Sequence, residues 1–68
     1  MQQTFIVRCA RDDPETPPTM DGQIALAREA AQKLGVPNCE SKPLYRIGLN
    51  SHTGEAWAYI EWTWEGLR

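Results

Sequence analysis

The last third of the chain has the residue pattern of a β-hairpin with apolar or aromatic side chains on both faces. A strand that packs on one side only alternates apolar with polar side chains. In the second arm of this hairpin, Trp57 and Tyr59 alternate with Ala58 and Ile60. Because one helix can cover only one face of a small sheet, the sequence predicts that the other face is left for a partner.

The turn between the two arms determines how their residues pair. Residues 51–54 suit a type I turn closed by a glycine bulge, because Gly54 tolerates positive φ. The predicted pairs are Asn50 with Glu55, Leu49 with Ala56, Gly48 with Trp57, Ile47 with Ala58, Arg46 with Tyr59 and Tyr45 with Ile60. A slip of one residue would exchange the two faces, so the pattern strongly specifies this register.

Residues 4–10 predict the first strand, because they are rich in β-branched and aromatic side chains. The odd-numbered apolar residues of this strand face the core, and Ile6 and Arg8 share the opposite face. The acidic, proline-containing segment 11–19 predicts an extended loop, because proline donates no backbone hydrogen bond and restricts the residue before it. Loops of this length in small domains are often functional or mobile.

A helix is predicted after this loop. Thr19 or Asp21 can cap its N-terminus, and Gly35 followed by Pro37 ends it. The apolar stripe at helical spacing consists of Ile24, Ala27, Ala30, Ala31 and Leu34. The opposite, charged face, which includes Arg28, is expected to be solvated.

The element order is therefore β-α-β-β, which predicts an α+β fold with one helix packed on a three-stranded, mainly antiparallel sheet. A right-handed crossover leaves a gap between the first two strands, and the long aromatic third strand fits that gap in the order 1-3-2. The order 1-2-3 is the alternative. The predicted core consists of Phe5, Val7, Cys9, the helix stripe, Tyr45, Ile47, Leu49, Ala58, Ile60 and Trp62. Trp64 continues the alternation and either closes over the end of the helix or lies exposed.

Length and charge narrow the possible functions. Sixty-eight residues predict one small domain, 1–68. This length is close to the lower limit at which a hydrophobic core is stable by itself, which favours self-association or a stabilising partner. A formal charge of −2 argues against a general polyanion binder. No apolar run approaches the ~20 residues of a membrane span, and the first residues lack the basic start of a signal peptide. A cytoplasmic location is expected.

The chain offers few residues for catalysis or metal binding. His52 is the only histidine, and Cys9 and Cys39 are the only cysteines, so four Cys/His ligands for structural zinc are not available. The acidic residues 12–15 lack the alternating spacing of an EF-hand loop. No set of nucleophile, base and orienting group can be assembled. We therefore expect no enzyme activity, no metal site and no cofactor, and two reduced thiols with a disulfide as the alternative.

The open sheet face carries the candidate binding site. Its predicted residues are Ile6, Arg8, Leu44, Arg46, Trp57 and Tyr59, with Glu61 and Thr63 at one end. Exposed aromatic rings beside arginine are typical of protein interfaces and also of single-stranded nucleic-acid platforms. The net acidity and the lack of lysine on this face favour a protein partner, or a second copy forming a homodimer, over nucleic acid. A further alternative is an ordinary cross-strand contact of Arg46 with the rings, without a binding role.

The layout of a strand, a helix and a hairpin in an acidic chain of this length resembles several small phage-encoded inhibitors. Some type I anti-CRISPR proteins are similar, with an aromatic last strand comparable to residues 55–61 and a preceding pair comparable to Arg46 and Ile47. The proline-rich loop 11–19 has no counterpart in that layout. The resemblance implies a stoichiometric, non-catalytic inhibitor that blocks a nucleic-acid-handling complex.

Overall fold

The structure of the chain, a computed structural model, describes residues 1–66. Its elements are β1 (Gln2–Ala10), α1 (Met20–Leu34), β2 (Leu44–Leu49) and β3 (Ala56–Glu65). The strands form one three-stranded sheet in the order β1-β3-β2, and β3 is antiparallel to both neighbours. The predicted α+β fold and the 1-3-2 strand order are confirmed.

The hairpin has the predicted register. The N–H of Asn50 donates to the Glu55 carbonyl at 2.8 Å, and the N–H of Gly54 donates to the Asn50 carbonyl at 2.8 Å. Gly54 has a φ of 76°, the left-handed conformation that the turn requires. The observed pairs are Leu49 with Ala56, Gly48 with Trp57, Ile47 with Ala58, Arg46 with Tyr59 and Tyr45 with Ile60.

Helix α1 begins and ends where its capping residues predict. The Thr19 hydroxyl accepts the N–H of Gly22 at 3.0 Å, and Gly35 takes the left-handed C-cap conformation with a φ of 78°. Ala27 and Ala31 are fully buried, so small side chains bring the helix close to the sheet. The core thus lies between the alanine stripe of α1 and strand β3.

Two large side chains of β3, Ile60 and Trp62, form the centre of this core. The Trp62 indole N–H donates to the Ser41 carbonyl at 3.0 Å, so its buried polar atom has a partner. Trp64 is half-buried and packs against the same core, so it does not take the exposed position that was the second alternative. The side chains half-buried against the core are Phe5, Val7, Ile24, Tyr45 and Trp64.

The prediction that Leu34, Ile47 and Leu49 belong to the core is wrong. Leu34 is 71% exposed, and Ile47 and Leu49 are each 67% exposed. Leu34 is the last residue of α1, beyond the buried stripe. The Tyr45 hydroxyl contacts Gln23 in the first turn of α1, so residues nearer the hairpin turn lie past the start of the helix. Ile47 and Leu49 therefore lie on the helix side of the sheet, as predicted, but at a part of it that α1 does not cover.

The charged face of α1 is not solvated throughout, contrary to prediction. The Arg28 Nε donates to the Cys39 carbonyl at 2.7 Å, and its guanidinium carbon lies 5.9 Å from the Trp62 ring centroid. The arginine thereby holds the connection between α1 and β2 against the core. Cys39 lies in this connection and is buried.

Candidate functional site: the open sheet face

The sheet surface away from α1, called here the open face, is organised in rows across the three strands. The rows are Ile6–Glu61–Leu44, Arg8–Tyr59–Arg46 and Ala10–Trp57–Gly48. All of the predicted site residues are brought together in these rows. Ile6 is 49% exposed and Leu44 is 54% exposed, whereas the Trp57 and Tyr59 side chains in the two neighbouring rows are half-buried. The binding role of the face stays a prediction.

Tyr59 occupies the centre of the open face, where it leans towards β2. A Cβ atom built on Gly48 would lie 2.8 Å from Cε2 of Tyr59, so the ring lies over the glycine. On the same side, the guanidinium carbon of Arg46 is 5.9 Å from the Tyr59 ring centroid. The missing side chain at Gly48 is therefore what lets the ring approach β2.

We expect Gly48→Ala to lower the free energy of unfolding by about 1–2 kcal/mol, because the new methyl group forces the Tyr59 ring to move. Urea denaturation measures this loss. In a Tyr59→Ala background the same substitution should be neutral or stabilising, since no ring is left to displace and alanine restricts the unfolded chain. Equal losses in both backgrounds would show that the contact with Tyr59 is not responsible.

The two arginines of the open face differ in their partners. Arg46 Nη2 lies 3.3 Å from Glu61 Oε1, and the Glu61 side chain is only 19% exposed. Arg8 instead places its guanidinium carbon 5.5 Å from the Trp57 ring centroid, and no carboxylate of residues 1–66 lies within ion-pair distance of it. Arg8 therefore keeps its hydrogen-bond donors available on the surface.

The helix side of the sheet contains a cavity that the sequence pattern did not predict. It has a volume of about 390 Å³ and lies between the hairpin and the proline-containing loop. Arg11 ties this loop to the hairpin turn, because its Nη2 donates to the Gly54 carbonyl at 3.0 Å. The lining is mainly apolar and includes Cys9, Pro17, Pro18, Tyr45, Ile47 and Ala58.

Cys9 and Cys39 are both free and buried. Burial raises the pKa of the Cys9 thiol above its ordinary value of 9.0, and the nearby Asp13 carboxylate raises the pKa further. The folded state thus disfavours the thiolate. Because the Cys9 thiol ionises less readily in the folded than in the unfolded protein, its effect on the free energy of unfolding depends on pH. The folded state has its full stability below the ordinary thiol pKa and loses stability as the pH rises above that value.

We expect iodoacetamide to label Cys9 more slowly in the folded protein than in the urea-unfolded chain at pH 8, because only the thiolate reacts. A Cys39→Ser background isolates the signal of Cys9. Asp13→Asn should accelerate labelling of the folded protein, since it removes the negative charge that raises the pKa. Equal labelling rates in folded and unfolded protein would contradict the burial of this thiol.

Residues 1–66 contain neither a candidate metal-binding cluster nor a candidate membrane-spanning helix. No three His, Cys, Asp or Glu side chains lie close enough together to hold a metal ion. No helix in this part of the chain has the length and apolar character needed to cross a membrane.

Comparison with protein-family models, curated proteins and solved structures finds no match to this chain. The resemblance to small phage inhibitors stays a prediction.

Proposed function

We propose that this chain is a non-catalytic protein-binding module that acts in the cytoplasm through its open face. The observation that carries the proposal is the pair Trp57 and Tyr59, which lies on the face opposite α1 and is flanked by Arg8 and Arg46. Aromatic rings beside arginine are the side chains most enriched among the energetically dominant residues of protein interfaces.

The apolar part of the open face provides the driving force for association. Ile6 and Leu44 are each about half exposed at one end of the rings. Burying apolar area contributes roughly 25 cal/mol per Å², and contiguous apolar patches on small proteins mark interaction sites. The contacts of the arginines with the rings also restrict these side chains before binding, which reduces the entropy lost on association.

The charges of the open face indicate what the partner presents. Arg46 is already paired with Glu61, whereas Arg8 has free donors among the described residues. A partner that places an aliphatic or aromatic patch over Tyr59 and a carboxylate near Arg8 would satisfy both features. By the resemblance in layout, we propose that this partner is a protein component of a nucleic-acid-handling complex of the CRISPR type, which the chain inhibits.

A matched pair of leucines tests the location of the site. Leu44 on the open face and Leu34 at the end of α1 are exposed by 54% and 71%, and both lie outside the buried core. In capture of the partner from host extract, Leu44→Gln should reduce recovery about tenfold or more, and Leu34→Gln should leave recovery unchanged. Equal behaviour of the two variants, whether binding is kept or lost, would overturn the proposal.

Single-stranded nucleic acid is the competing class of partner, because rings beside arginine also suit base stacking. Titration with an oligonucleotide, followed by tryptophan fluorescence at two salt concentrations, separates the classes. We expect no quenching, since the chain has a net charge of −2, the open face has no lysine, and Glu61 and Glu65 offset its two arginines. Quenching that weakens as salt rises would instead assign the face to nucleic acid.

A further inference from the structure

The orientation of the backbone along β1 follows from two hydrogen bonds at its ends. The N–H of Arg11 donates to the Ala56 carbonyl at 2.9 Å, and the N–H of Gly66 donates to the Met1 carbonyl at 2.7 Å. Both bonds continue the β1–β3 register, so odd-numbered residues of β1 direct their backbone groups towards β3. The even-numbered residues direct theirs away from the sheet. They are Gln2, Thr4, Ile6, Arg8 and Ala10.

Most of these outward groups have no hydrogen-bond partner within residues 1–66. The carbonyl of Ala10 accepts the N–H of Asp13 at 3.2 Å. The backbone groups of the four preceding even-numbered residues make no hydrogen bond inside the described part of the chain. A row of unpaired backbone donors and acceptors is a template for a further strand.

Strand β1 also lacks the features by which sheet edges usually avoid pairing. It is nine residues long, contains no proline or lysine, and carries Arg8 as its only charged side chain. Its register with β3 runs from Gln2 to Ala10 without a bulge. The opposite edge, β2, is only six residues long and follows directly after Lys42 and Pro43.

The middle of β1 leaves apolar side chains partly uncovered on both sides of the sheet. Ile6 is 49% exposed on the open face, and Phe5 and Val7 are only half-buried on the helix face. A strand placed alongside β1 would cover part of all three side chains, because neighbouring strands bring side chains on the same face into contact.

An antiparallel second copy of β1 fits this edge. When Ile6 lies opposite Ile6 of the second copy, every outward-facing residue meets another outward-facing residue. Phe5 then lies opposite Val7, and Arg8 lies opposite Thr4, so no like charges face each other within residues 2–10. The arrangement has two-fold symmetry and is closed, as most homodimers are.

We propose that two copies of this chain associate by antiparallel pairing of their β1 strands, which joins their sheets into one continuous sheet. The two α1 helices then lie on one side and the two open faces lie side by side on the other. The pairing uses the edge of β1 rather than the open face, and it goes beyond the proposed function.

Proline at position 4 tests the pairing. Thr4→Pro removes an outward N–H but no hydrogen bond to β3, and Thr4→Ala is the matched control that also loses the 3.5 Å hydroxyl contact with Thr63. By sedimentation analysis over a concentration series, we expect dimers for the wild type and Thr4→Ala. Thr4→Pro should keep a folded circular dichroism spectrum and associate at least about tenfold more weakly, because the symmetric dimer loses two hydrogen bonds.

Three outcomes would overturn the pairing. They are a wild-type protein that stays monomeric across the series, a Thr4→Pro variant that dimerises like the wild type, and a dimer that Trp57→Ala abolishes while Thr4→Pro keeps it. The last outcome would place self-association on the open face, so the edge and the face are tested separately.

Amide hydrogen exchange of the wild type tests the same point without depending on the folding of a variant. The outward amides of Thr4, Ile6 and Arg8 should exchange slowly in concentrated protein and rapidly in dilute protein. The amides of Tyr45 and Ile47 on the β2 edge serve as controls and should not depend on concentration. Rapid exchange of the β1 amides at all concentrations would contradict the pairing.

Discussion

Trp62→Ala is expected to unfold the domain. The Trp62 side chain is 2% exposed and lies at the centre of the core between α1 and the sheet. Truncation of a buried aromatic residue costs about 3–5 kcal/mol, which is comparable to the roughly 3–5 kcal/mol that a core of this size provides. Circular dichroism should therefore show loss of folded structure at 25 °C, without a cooperative urea transition.

Trp62→Phe is the control for this prediction. It keeps an aromatic ring in the core and loses the 3.0 Å hydrogen bond from the indole to the Ser41 carbonyl. That carbonyl also accepts the guanidinium of Arg28 at 3.3 Å, so it keeps a partner. We expect a cooperative transition with a free energy of unfolding lowered by roughly 1–2 kcal/mol. A Trp62→Ala protein as stable as Trp62→Phe would show that this residue is not central to the core.

Trp57→Ala is expected to weaken partner binding by about 2 kcal/mol or more, which is roughly thirtyfold in Kd. Trp57 lies on the open face with its ring 5.5 Å from the Arg8 guanidinium carbon, and it is the only tryptophan on that face. Its removal takes away both the apolar contact area and the ring that positions the Arg8 guanidinium. Titration calorimetry with the captured partner measures the change.

The same variant should remain folded, in contrast to Trp62→Ala. Its cost to the fold is the loss of a half-buried ring at the sheet surface and of the contact with Arg8, which is smaller than the loss of the buried Trp62 ring from the core. Unfolding of Trp57→Ala would show that the open face is the core face. A folded variant that binds normally would remove this face as the functional surface and make the acidic loop 11–19 the next candidate.

The hairpin could be predicted to the residue because two independent local signals agree. The conformation that Gly54 tolerates defines the turn, and the two-residue period of the strands defines which side chains share a face. The caps of α1 at Thr19 and Gly35 are similarly local, because each side chain or φ value acts within a few residues. The right-handed crossover predicted only a gap between the first two strands, and the length and aromatic content of the third strand favoured the order 1-3-2 over the alternative 1-2-3.

The extent of each buried surface could not be predicted in the same way. Periodicity assigned Ile47 and Leu49 to the helix face, but it does not show how far along the sheet the helix reaches. The contact of Arg28 with Cys39 joins residues from two elements, and no pattern within α1 indicates it. The helix-side cavity depends in the same way on where the proline-containing loop crosses the hairpin.

The membership of the open face could be predicted, but its internal contacts could not. Register places Arg8 beside Tyr59, yet its guanidinium lies 5.5 Å from the ring of Trp57. The position of Tyr59 over Gly48 depends on side-chain rotamers, which strand periodicity does not determine. These contacts matter for function because they leave Arg8, rather than Arg46, as the arginine with free donors.

The indole N–H signals of the three tryptophans provide the most direct test that the open face is the binding surface. Trp57 lies on the open face, Trp62 is buried in the core, and Trp64 packs on the helix side. In proton–nitrogen NMR spectra recorded during titration with the captured partner, the Trp57 signal should shift or broaden and the Trp62 and Trp64 signals should stay in place. Changes at Trp62 or Trp64 with an unperturbed Trp57 signal would contradict the account.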